Sequence, residues 1–315
     1  MNTEERKDGI LFRDLPDDTI FIIFNYVSFP SLCRVKPVCR WWMQSVGTSI
    51  GRRLGNKQFL THYELCEAVD QYYYDKGCEE KLATTYGWPI GRWDVSKVAD
   101  FSFVFVHMAE FNEDISEWDV SNGINFSGMF YGATSFNQNI GSWNVSKSTD
   151  FPFMFVEAKS FNQDIGAWNM SNATSLRYMF CEAISFHQDL SKWNTSNVLN
   201  MEGTFYNASS FNGDVSTWET GKVTNMRCMF HGAIIFNQDL SAWNMANVIH
   251  MGHMFAHAKS FSQNISSWDV SNVEEHEDMF TRAKSFPMDF APRFPNDDVN
   301  TLSILFRCCN FWYRL

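Results

Sequence analysis

Residues 243–267 read WNMANVIHMGHMFAHAKSFSQNISS, and the same 25-residue pattern recurs through most of the chain. Trp begins every copy, one Phe follows it after twelve residues, and a second Phe follows it after eighteen. Chance does not produce three uninterrupted series, so the sequence predicts a repeat array over residues 86–290. The eight copies begin at Trp93, Trp118, Trp143, Trp168, Trp193, Trp218, Trp243 and Trp268.

The start of each unit has the pattern of a strand. Trp143 and Val145 alternate around one polar residue, and Ile140 precedes them by three positions. Alternation of this kind is typical of a short strand with one buried face.

The middle of each unit has the pattern of a helix. Met251, Met254, Phe255 and Ala258 are spaced three, one and three residues apart, which predicts one apolar face of a short helix. An Asn or Asp often stands just before this segment and is a suitable N-cap. These predicted caps are Asp100, Asn125, Asp150, Asn200 and Asn225.

One strand and one helix in 25 residues cannot bury their own apolar faces, so neighbouring units must stack. The sequence therefore predicts an α/β repeat solenoid, similar to a leucine-rich repeat, with a short strand and a short helix in each turn. The units resemble the BspA-like leucine-rich repeats, whose pattern is W-D-V-S-N-V-T-N-M-x-x-M-F. That resemblance implies a solenoid with a binding surface and no reaction of its own.

The N-terminal segment has a different pattern. Residues 11–45 read LFRDLPDDTIFIIFNYVSFPSLCRVKPVCRWWMQS, and prolines divide them into three predicted short helices. This small all-α segment resembles an F-box: L-P-x-[DE] with I-F, then P-x-x-L, then V-C-R-x-W. The resemblance implies that its apolar face docks on the adaptor subunit of a cullin-RING ubiquitin ligase of the SCF type. The adaptor-binding residues would be Leu15, Pro16, Ile20, Ile23, Phe24, Leu32, Val38, Cys39 and Trp42.

These patterns divide the chain into five parts. We expect a disordered N-terminus at 1–10, the F-box at 11–50, a helical linker and N-terminal cap at 51–85, the solenoid at 86–290 and a C-terminal cap at 291–315. The predicted buried stripe of the linker consists of Leu60, Tyr63, Leu65, Ala68, Val69 and Tyr72.

Composition excludes several classes of function. The chain has 36 acidic and 25 basic residues and a formal net charge of −11, which argues against a nucleic-acid partner. Its N-terminus has no apolar stretch typical of a secretion signal or a membrane span, so we expect a cytoplasmic or nuclear protein without a membrane partner. The eight cysteines form no CxxC pair, which favours reduced thiols.

No segment has a catalytic signature, and we expect no catalytic residues, no metal and no cofactor. His250, His253 and His257 are the best metal candidates, although exposed histidines explain them more simply. The run Asn162-Gln163-Asp164 also suggests metal ligands, but stacked amides that satisfy buried backbone groups are the preferred interpretation. Cys39 lies in the F-box pattern and lacks a base or oxyanion site for a nucleophile.

A target protein would bind the polar concave face that strands of such a solenoid present. The residue after each Trp would point there, although a solvated ladder without a partner is an equally physical interpretation. The predicted partner-binding residues are Asp94, Asp119, Asn144, Asn169, Asn194, Glu219, Asn244 and Asp269.

Two functions therefore compete. In the first, the chain is the substrate-recognition subunit of an SCF-type ligase, bound to the adaptor and cullin complex and to an unknown target protein. In the second, it is a non-catalytic scaffold or adhesion-type repeat protein whose N-terminus is only a helical cap. An enzyme is the third and least favoured alternative.

Overall fold

The computed structural model describes residues 57–75 and 77–295. Helix α1 (His62–Tyr74) and helix α2 (Glu79–Tyr86) come first, a 3-10 turn at Ile90–Arg92 follows, and another 3-10 turn at Met288–Phe290 lies near the end. Within these ranges, no helix has both the length and the apolarity needed to cross a bilayer. The predicted disordered N-terminus, F-box and most of the C-terminal cap lie outside the described residues.

The predicted solenoid of strands and helices is wrong. Between the two 3-10 turns, the described residues form neither an α-helix nor a regular strand, and successive copies meet only through isolated parallel bridges. The chain therefore forms a stack of coils built almost entirely from turns. The bridges join Asp100 to Asn125, Asn125 to Asp150, Asp150 to Ser175, Ser175 to Asn200, Asn200 to Asn225, Asn225 to His250, and His250 to Glu275.

Turns on both sides of each Trp prevent the predicted strand. The N–H of Trp143 donates to the Ile140 carbonyl at 3.1 Å, three residues back, and the N–H of Ser148 donates to the Val145 carbonyl at 2.9 Å. Because the chain bends before Trp143 and after Val145, the extended stretch between them is too short to pair as a strand.

Left-handed backbone conformations prevent the predicted helix. His253 has φ +58° and His257 has φ +61°, which a right-handed helix cannot contain. The N–H of His253 donates to the Glu277 carbonyl in the next copy at 2.8 Å, instead of to a carbonyl four residues back. The hydrogen bonds of this segment therefore join copies rather than closing helical turns.

The residues of the predicted helix face are nevertheless in the core. Met251, Met254, Phe255 and Ala258 are all fully buried. Met254 N–H bonds to the Met251 carbonyl at 3.2 Å, and Ala258 N–H bonds to the Phe255 carbonyl at 3.0 Å. These tight turns return the chain to the same side every three residues, so the burial pattern matches that of a helix.

We number the coils 1–8, from the one that begins at Trp93 to the one that begins at Trp268, and we number positions within a coil from 1 at its Trp. The Phe rings at position 13 stack nearly parallel, with centroids 5.4–5.9 Å apart in successive coils. Those at position 19 stack at 5.6–6.0 Å. The two rings within a coil lie 3.7–4.2 Å apart, so aromatic columns form the core.

The Trp residues add a ladder of hydrogen bonds. From Trp118 to Trp268, each indole N–H donates to the backbone carbonyl 28 residues earlier, at 2.8–3.2 Å. In the first coil, Trp93 donates instead to the Gly87 carbonyl at 3.1 Å. Each Trp is buried and therefore supplies both apolar area and a partner for a buried carbonyl.

Four of the five predicted helix caps have a related role, and Asp150 is the exception because Pro152 has no N–H. The side-chain oxygen of Asn125 accepts the N–H of Ser127, two residues later, at 2.9 Å, and Asn200 accepts that of Glu202 at 2.8 Å. This is an Asx-turn, in which the side chain stabilises a bend instead of starting a helix. The prediction identified residues that bond the following backbone, but assigned the wrong structure to it.

A second polar ladder runs along positions 20 and 21. The Asn137 side-chain oxygen accepts the N–H of Asn162 in the next coil at 2.9 Å. Gln163 donates to the carbonyl and the side-chain oxygen of Asn137, both at 2.9 Å. These contacts confirm that the stacked amides serve the backbone.

The ladder runs from coil 1 to coil 7 and is interrupted once within that range, between coils 4 and 5. His187 stands in place of Asn at position 20, and Gly213 in the next coil stands in place of Gln at position 21. Here the Leu190 N–H bonds directly to the Asp214 carbonyl at 3.2 Å. A Cβ on Gly213 would lie 2.0 Å from the Gln188 carbonyl oxygen, so this close approach of two backbones requires glycine.

The helical segment covers the first coil. Phe59 is fully buried, stacks on Tyr86 with centroids 4.1 Å apart, and donates its N–H to the Asp94 carbonyl at 2.9 Å. Thr61 caps α1 by accepting the Glu64 N–H at 3.2 Å. The apolar end of the stack is therefore closed at this side.

The predicted buried stripe of this segment is right in part. Leu65, Ala68 and Val69 are buried in the structure, and Tyr72 packs partly buried against the core. Leu60 is 64% exposed because it precedes the start of α1, and Tyr63 is 75% exposed because it lies on the outer side of α1.

Candidate partner-binding face

The predicted partner-binding residues stabilise turns. Asp119 accepts the N–H of Ser121 at 3.0 Å, and the same Asx-turn forms at position 2 of every coil except the one with Glu219. Most of these side chains are also exposed. Their predicted role assumed a concave face lined by strands, and no such face exists in the described residues. That these residues bind a partner stays a prediction, but it has lost this structural basis.

Two of these residues line a shallow depression at the start of the stack. The depression has a volume of about 540 Å³, and Asp94 and Asp119 border it together with Arg92 and Glu117. Asp94 accepts the Gln58 side-chain N–H at 2.9 Å, and its hydrogen bonds hold the pKa of its carboxyl below the usual value despite partial burial. Asp94 is thus fixed by the cap.

The predicted adaptor-binding residues cannot be placed. They all lie outside the described residues: Leu15, Pro16, Ile20, Ile23, Phe24, Leu32, Val38, Cys39 and Trp42.

A different surface stands out when the coils are compared with one another. Positions 1, 13 and 19 each hold one residue type in all eight coils, whereas positions 11 and 14 hold six types each. We use the name variable face for the surface formed by positions 10, 11, 14 and 15. Because these positions differ between coils of nearly identical backbone, their side chains are not dictated by the coil itself.

The backbone of the variable face makes this variation costly. Positions 11 and 15 are left-handed in all eight coils, and glycine occupies only four of these sixteen places. Phe153 has φ +60° and Tyr178 has φ +52°, although bulky residues rarely adopt this conformation. Stability alone would favour Gly or Asn at these positions.

Glycines on this face make room for bulky neighbours. A Cβ on Gly203, which has φ +58°, would lie 2.2 Å from the Tyr178 ring, and one on Gly128 would lie 2.2 Å from the Phe103 ring. Each ring therefore lies flat over the glycine of the following coil.

A row of rings crosses the variable face from coil 3 to coil 7. Phe153 stacks on Tyr178 at 5.7 Å, and Tyr178 meets Tyr206 edge-on at 6.4 Å. Tyr206 stacks on His231 at 4.7 Å, and His231 lies 5.2 Å from His257. All five side chains are partly exposed, so the row offers aromatic surface to a partner.

An ion pair supports one end of this row. The Arg177 guanidinium lies 5.3 Å from the centres of both the Phe153 and Tyr178 rings, and it pairs with Glu202 at 2.9 Å. Tyr178 donates its hydroxyl to the same carboxylate at 3.2 Å. Burial, followed by the charge of Glu202, raises the pKa of Tyr178 to about 12, so its phenol stays protonated.

Histidines occupy the other end. Burial and the neighbouring His257 and His253 lower the pKa of His231. Burial and the cations Arg282 and Lys259 lower the pKa of His257. Both rings are therefore mainly neutral near pH 7.

These histidines do not form a metal site. No group of three or more metal-ligating side chains is gathered anywhere in residues 57–75 and 77–295. His250 lies 3.1 Å from Glu275, and His253 lies 3.9 Å from Glu277, so two of the three metal candidates face carboxylates in the next coil. Since the predicted helix is absent, His253 and His257 do not share a helix face.

Burial keeps the two thiols of the variable face protonated. Burial raises the pKa of the Cys181 thiol to about 12, and Glu182 and Glu157 add to this shift. Burial also raises the pKa of Cys228. A thiol that stays protonated is a poor nucleophile.

Comparison with known families agrees with both parts of the sequence pattern. A family described as "Mycoplasma protein of unknown function, DUF285" matches residues 80–193 and again residues 174–293, together more than half of the chain. The chain belongs to the DUF285 family. A second family, described as F-box-like, matches residues 12–54. A search of curated proteins found no match.

The family matches sharpen some predictions and leave others open. The F-box-like segment of this DUF285 protein confirms the coarse assignment of a protein-interaction module, which is not itself catalytic. Membership of the BspA-like leucine-rich group stays a prediction, since the description of DUF285 states no function.

The aromatic row of this DUF285 protein is not among the sites predicted from the sequence. The residue types at positions 11 and 14 differ between copies, and this variation in the sequence is enough to locate the variable face. The row itself was hidden, because only the turn geometry brings position 11 of one coil beside position 14 of the next.

Proposed function

We propose that this chain is the substrate-recognition subunit of an SCF-type cullin-RING ubiquitin ligase. The observation that carries the proposal is the F-box-like match at residues 12–54 directly before a folded repeat stack. F-box domains generally bind the adaptor subunit of SCF complexes, and the stack supplies a separate surface for a target. Such a protein makes no covalent bond itself and acts by raising the local concentration of its target.

The sequence leaves only a short separation between the F-box-like match and the packed N-terminal cap of the stack. The F-box-like match ends at residue 54, and Phe59 is already fully buried against the stack. Phe59 contacts Tyr86 and lies 5.2 Å from the ring of Trp93 in coil 1. A short connection to a packed cap suits a receptor that must aim its target at the ligase.

In this proposal the target is a protein, bound by the stack, and the ligase works in the cytoplasm or the nucleus. The variable face is the stronger candidate for target binding, because its aromatic and arginine side chains are of the kinds that dominate protein interfaces. The position-2 residues remain a second candidate, since their side chains are exposed although bonded to turns.

Adaptor binding tests the proposal directly. The full chain and a chain lacking residues 1–50 are each used to capture the purified SCF adaptor subunit. We expect capture by the full chain alone, and loss of capture in the double variant Leu15→Asp/Pro16→Ala. Leu60→Asp is the matched control, because Leu60 is 64% exposed and lies outside the F-box-like match.

Thermal unfolding of each variant separates the possible results. No capture by a folded full chain would overturn the ligase assignment and favour a repeat scaffold. Unfolding of the stack in Leu15→Asp/Pro16→Ala would show that the segment is a structural cap.

A further inference from the structure

Coil 8 ends the described stack with a row of backbone donors. At all seven junctions between coils, the N–H groups of positions 11, 13 and 15 donate to carbonyls of the next coil at 2.6–2.9 Å. In coil 8 these N–H groups belong to Asp278, Phe280 and Arg282, and no carbonyl in the part of the chain that the structure describes accepts them. Such a row is an edge to which a further segment of chain can add.

The aromatic core is also less covered at coil 8. The Phe at position 13 is fully buried in coils 1–7, whereas Phe280 in coil 8 is only partly buried. At position 19, Phe286 is 8% exposed, compared with 2% or less in the other coils. A segment that fits this edge must therefore supply apolar side chains as well as carbonyl groups.

The chain after coil 8 begins to supply this cover. The Phe294 ring stacks on His276, with centroids 3.9 Å apart and planes that differ by 9°. His276 is position 9 of coil 8. In earlier coils a ring at position 9 contacts the Trp at position 1 of the following coil, as Phe126 contacts Trp143 at 6.3 Å. Phe294 thus lies where a ninth coil would have its Trp.

The register of this ninth position is shifted by one residue. The step from the last Trp to Phe294 is 26 residues instead of 25. A backbone bond shows the same shift, because the Ile265 N–H donates to the Phe290 carbonyl, 25 residues later, at 3.1 Å. The equivalent bond, from Leu190 to Asp214, spans 24 residues. One residue is therefore inserted before Phe290, and the repeat continues after it.

The sequence that follows keeps the repeat pattern in this shifted register, although residues 296–312 lie outside the described residues. Phe306 and Trp312 follow the new position 1 by twelve and eighteen residues, which is the spacing of the two Phe residues in every coil. Leu305 and Cys309 fall at positions 12 and 16, which usually hold Met and the small residue Ala. Asn296 departs from the pattern, because position 3 holds Val, Met or Thr in the eight coils.

We propose that residues 294–312 form a ninth coil, which binds the open edge of coil 8 and closes the stack. The carbonyls of positions 10, 12 and 14, which belong to Ser303, Leu305 and Arg307, accept the three N–H groups of coil 8. This is the bonding of the seven described junctions. The ninth coil also extends the variable face, because Ile304 and Arg307 take positions 11 and 14. It is independent of the ligase assignment.

A matched pair of substitutions in the full chain tests the register. Phe306→Ser removes a ring from the buried position 13, so the melting temperature should fall. Phe311→Ser removes the same ring five residues later, at position 18, where six of the eight coils already have Ser. The melting temperature of this control should be unchanged. Equal losses in the two variants, or no loss in Phe306→Ser, would overturn the ninth coil.

Amide hydrogen exchange tests the hydrogen bonds themselves. In the unaltered full chain, the amides of Asp278, Phe280 and Arg282 should be protected like those at the same positions of coil 4. In Phe306→Ser they should exchange at least about tenfold faster, while the amides of coil 4 keep their protection, because each coil contacts only its neighbours. Rapid exchange of all three amides in the unaltered chain would overturn the proposal, even if Phe306→Ser does not fold.

A helix over the same residues would bury the same side chains, because Leu302, Leu305, Phe306 and Cys309 also share a helical face. Cys308→Gly distinguishes the two structures. Position 15 is left-handed in all eight coils, so Gly there should keep or raise the melting temperature. A lower melting temperature would indicate a helix, in which Gly is unfavourable, and would overturn the ninth coil.

Sedimentation identifies which chain covers the edge. The full chain should remain a monomer as its concentration is raised, because its own ninth coil occupies coil 8. A dimer that dissociates in Phe306→Ser would show that a second copy binds the edge and would overturn the proposal. Capture of the adaptor should be the same for Phe306→Ser as for the unaltered chain, so failure of either proposal is recognised independently.

Discussion

The aromatic columns and the variable face belong to the same coils, but the columns repeat one residue type and the variable face does not. In the columns, each Phe at positions 13 and 19 of coils 2–7 packs against the equivalent Phe on both sides, so any change would disturb two neighbours. On the variable face, Phe153, Tyr178 and Tyr206 follow one another with different partners in each coil. Positions that repeat in every coil therefore hold the stack together, whereas positions that differ between coils form the candidate binding surface.

The largest effect is expected in a column. Trp168→Ala removes a fully packed indole from coil 4 and should lower the free energy of unfolding by about 3–5 kcal/mol. Urea unfolding followed by circular dichroism measures this change. Trp168→Phe is the control that keeps a ring but loses the bond to the Ile140 carbonyl, and it should cost less. A loss below about 1 kcal/mol in Trp168→Ala would contradict the buried column.

A glycine on the variable face comes next. Gly203→Ala places a Cβ 2.2 Å from the Tyr178 ring at φ +58°, so we expect a loss of about 1–3 kcal/mol in unfolding free energy. Tyr178→Ala should relieve the collision, and the double variant should be more stable than the sum of the single changes predicts. Strict additivity would show that only the backbone conformation of Gly203 matters.

The amide ladder should contribute less. Asn162→Ala removes the acceptor for the His187 N–H at 3.0 Å and for the Gln188 side chain at 2.9 Å. We expect a loss of about 1–2 kcal/mol in unfolding free energy, because the His187 N–H is left without this partner. Asn264→Ala, whose side chain bonds only within coil 7, should cost less and serves as the comparison. Equal losses of unfolding free energy in the two variants would mean that hydrogen bonds between coils stabilise the fold no more than those within a coil.

The smallest effect is a dependence of stability on pH at the histidine end. The pKa values of His231 and His257 are lowered in the folded chain, so their contribution to stability is present above about pH 6.5 and decreases as the pH falls below that value. The free energy of unfolding, measured at a series of pH values, should therefore decrease as the pH is lowered from 7 to 5. The slope should be smaller in His231→Gln/His257→Gln, and an unchanged slope would show that other groups, such as carboxylates, cause it.

The sequence predicted the core well and the backbone poorly. The Trp and Phe columns, and the burial of Met254, Phe255 and Ala258, followed from spacing alone. The helix prediction was wrong because successive tight turns produce the same spacing of three, one and three residues between buried side chains. Glycine usually signals a left-handed residue, but twelve of the sixteen left-handed positions in the coils hold other residues, so no residue pattern indicates this conformation.

The site was less accessible to sequence analysis than the core. Position-2 residues were chosen because strands were expected to present them, and that premise failed with the fold class. The aromatic row depends on contacts between residues 25 to 28 positions apart, such as Tyr178 with Tyr206. No local pattern reports such contacts, although comparison of the copies at each position does narrow the search.

The Trp column also has an optical consequence. The rings of Trp193, Trp218 and Trp243 lie 6.0 and 6.4 Å apart in planes that differ by 5° and 1°. Indoles held this close and this parallel exchange excitation energy, so they act as one coupled chromophore rather than as separate probes. Near-ultraviolet dichroism and fluorescence depolarisation will therefore report whether neighbouring coils remain in register, without any added label.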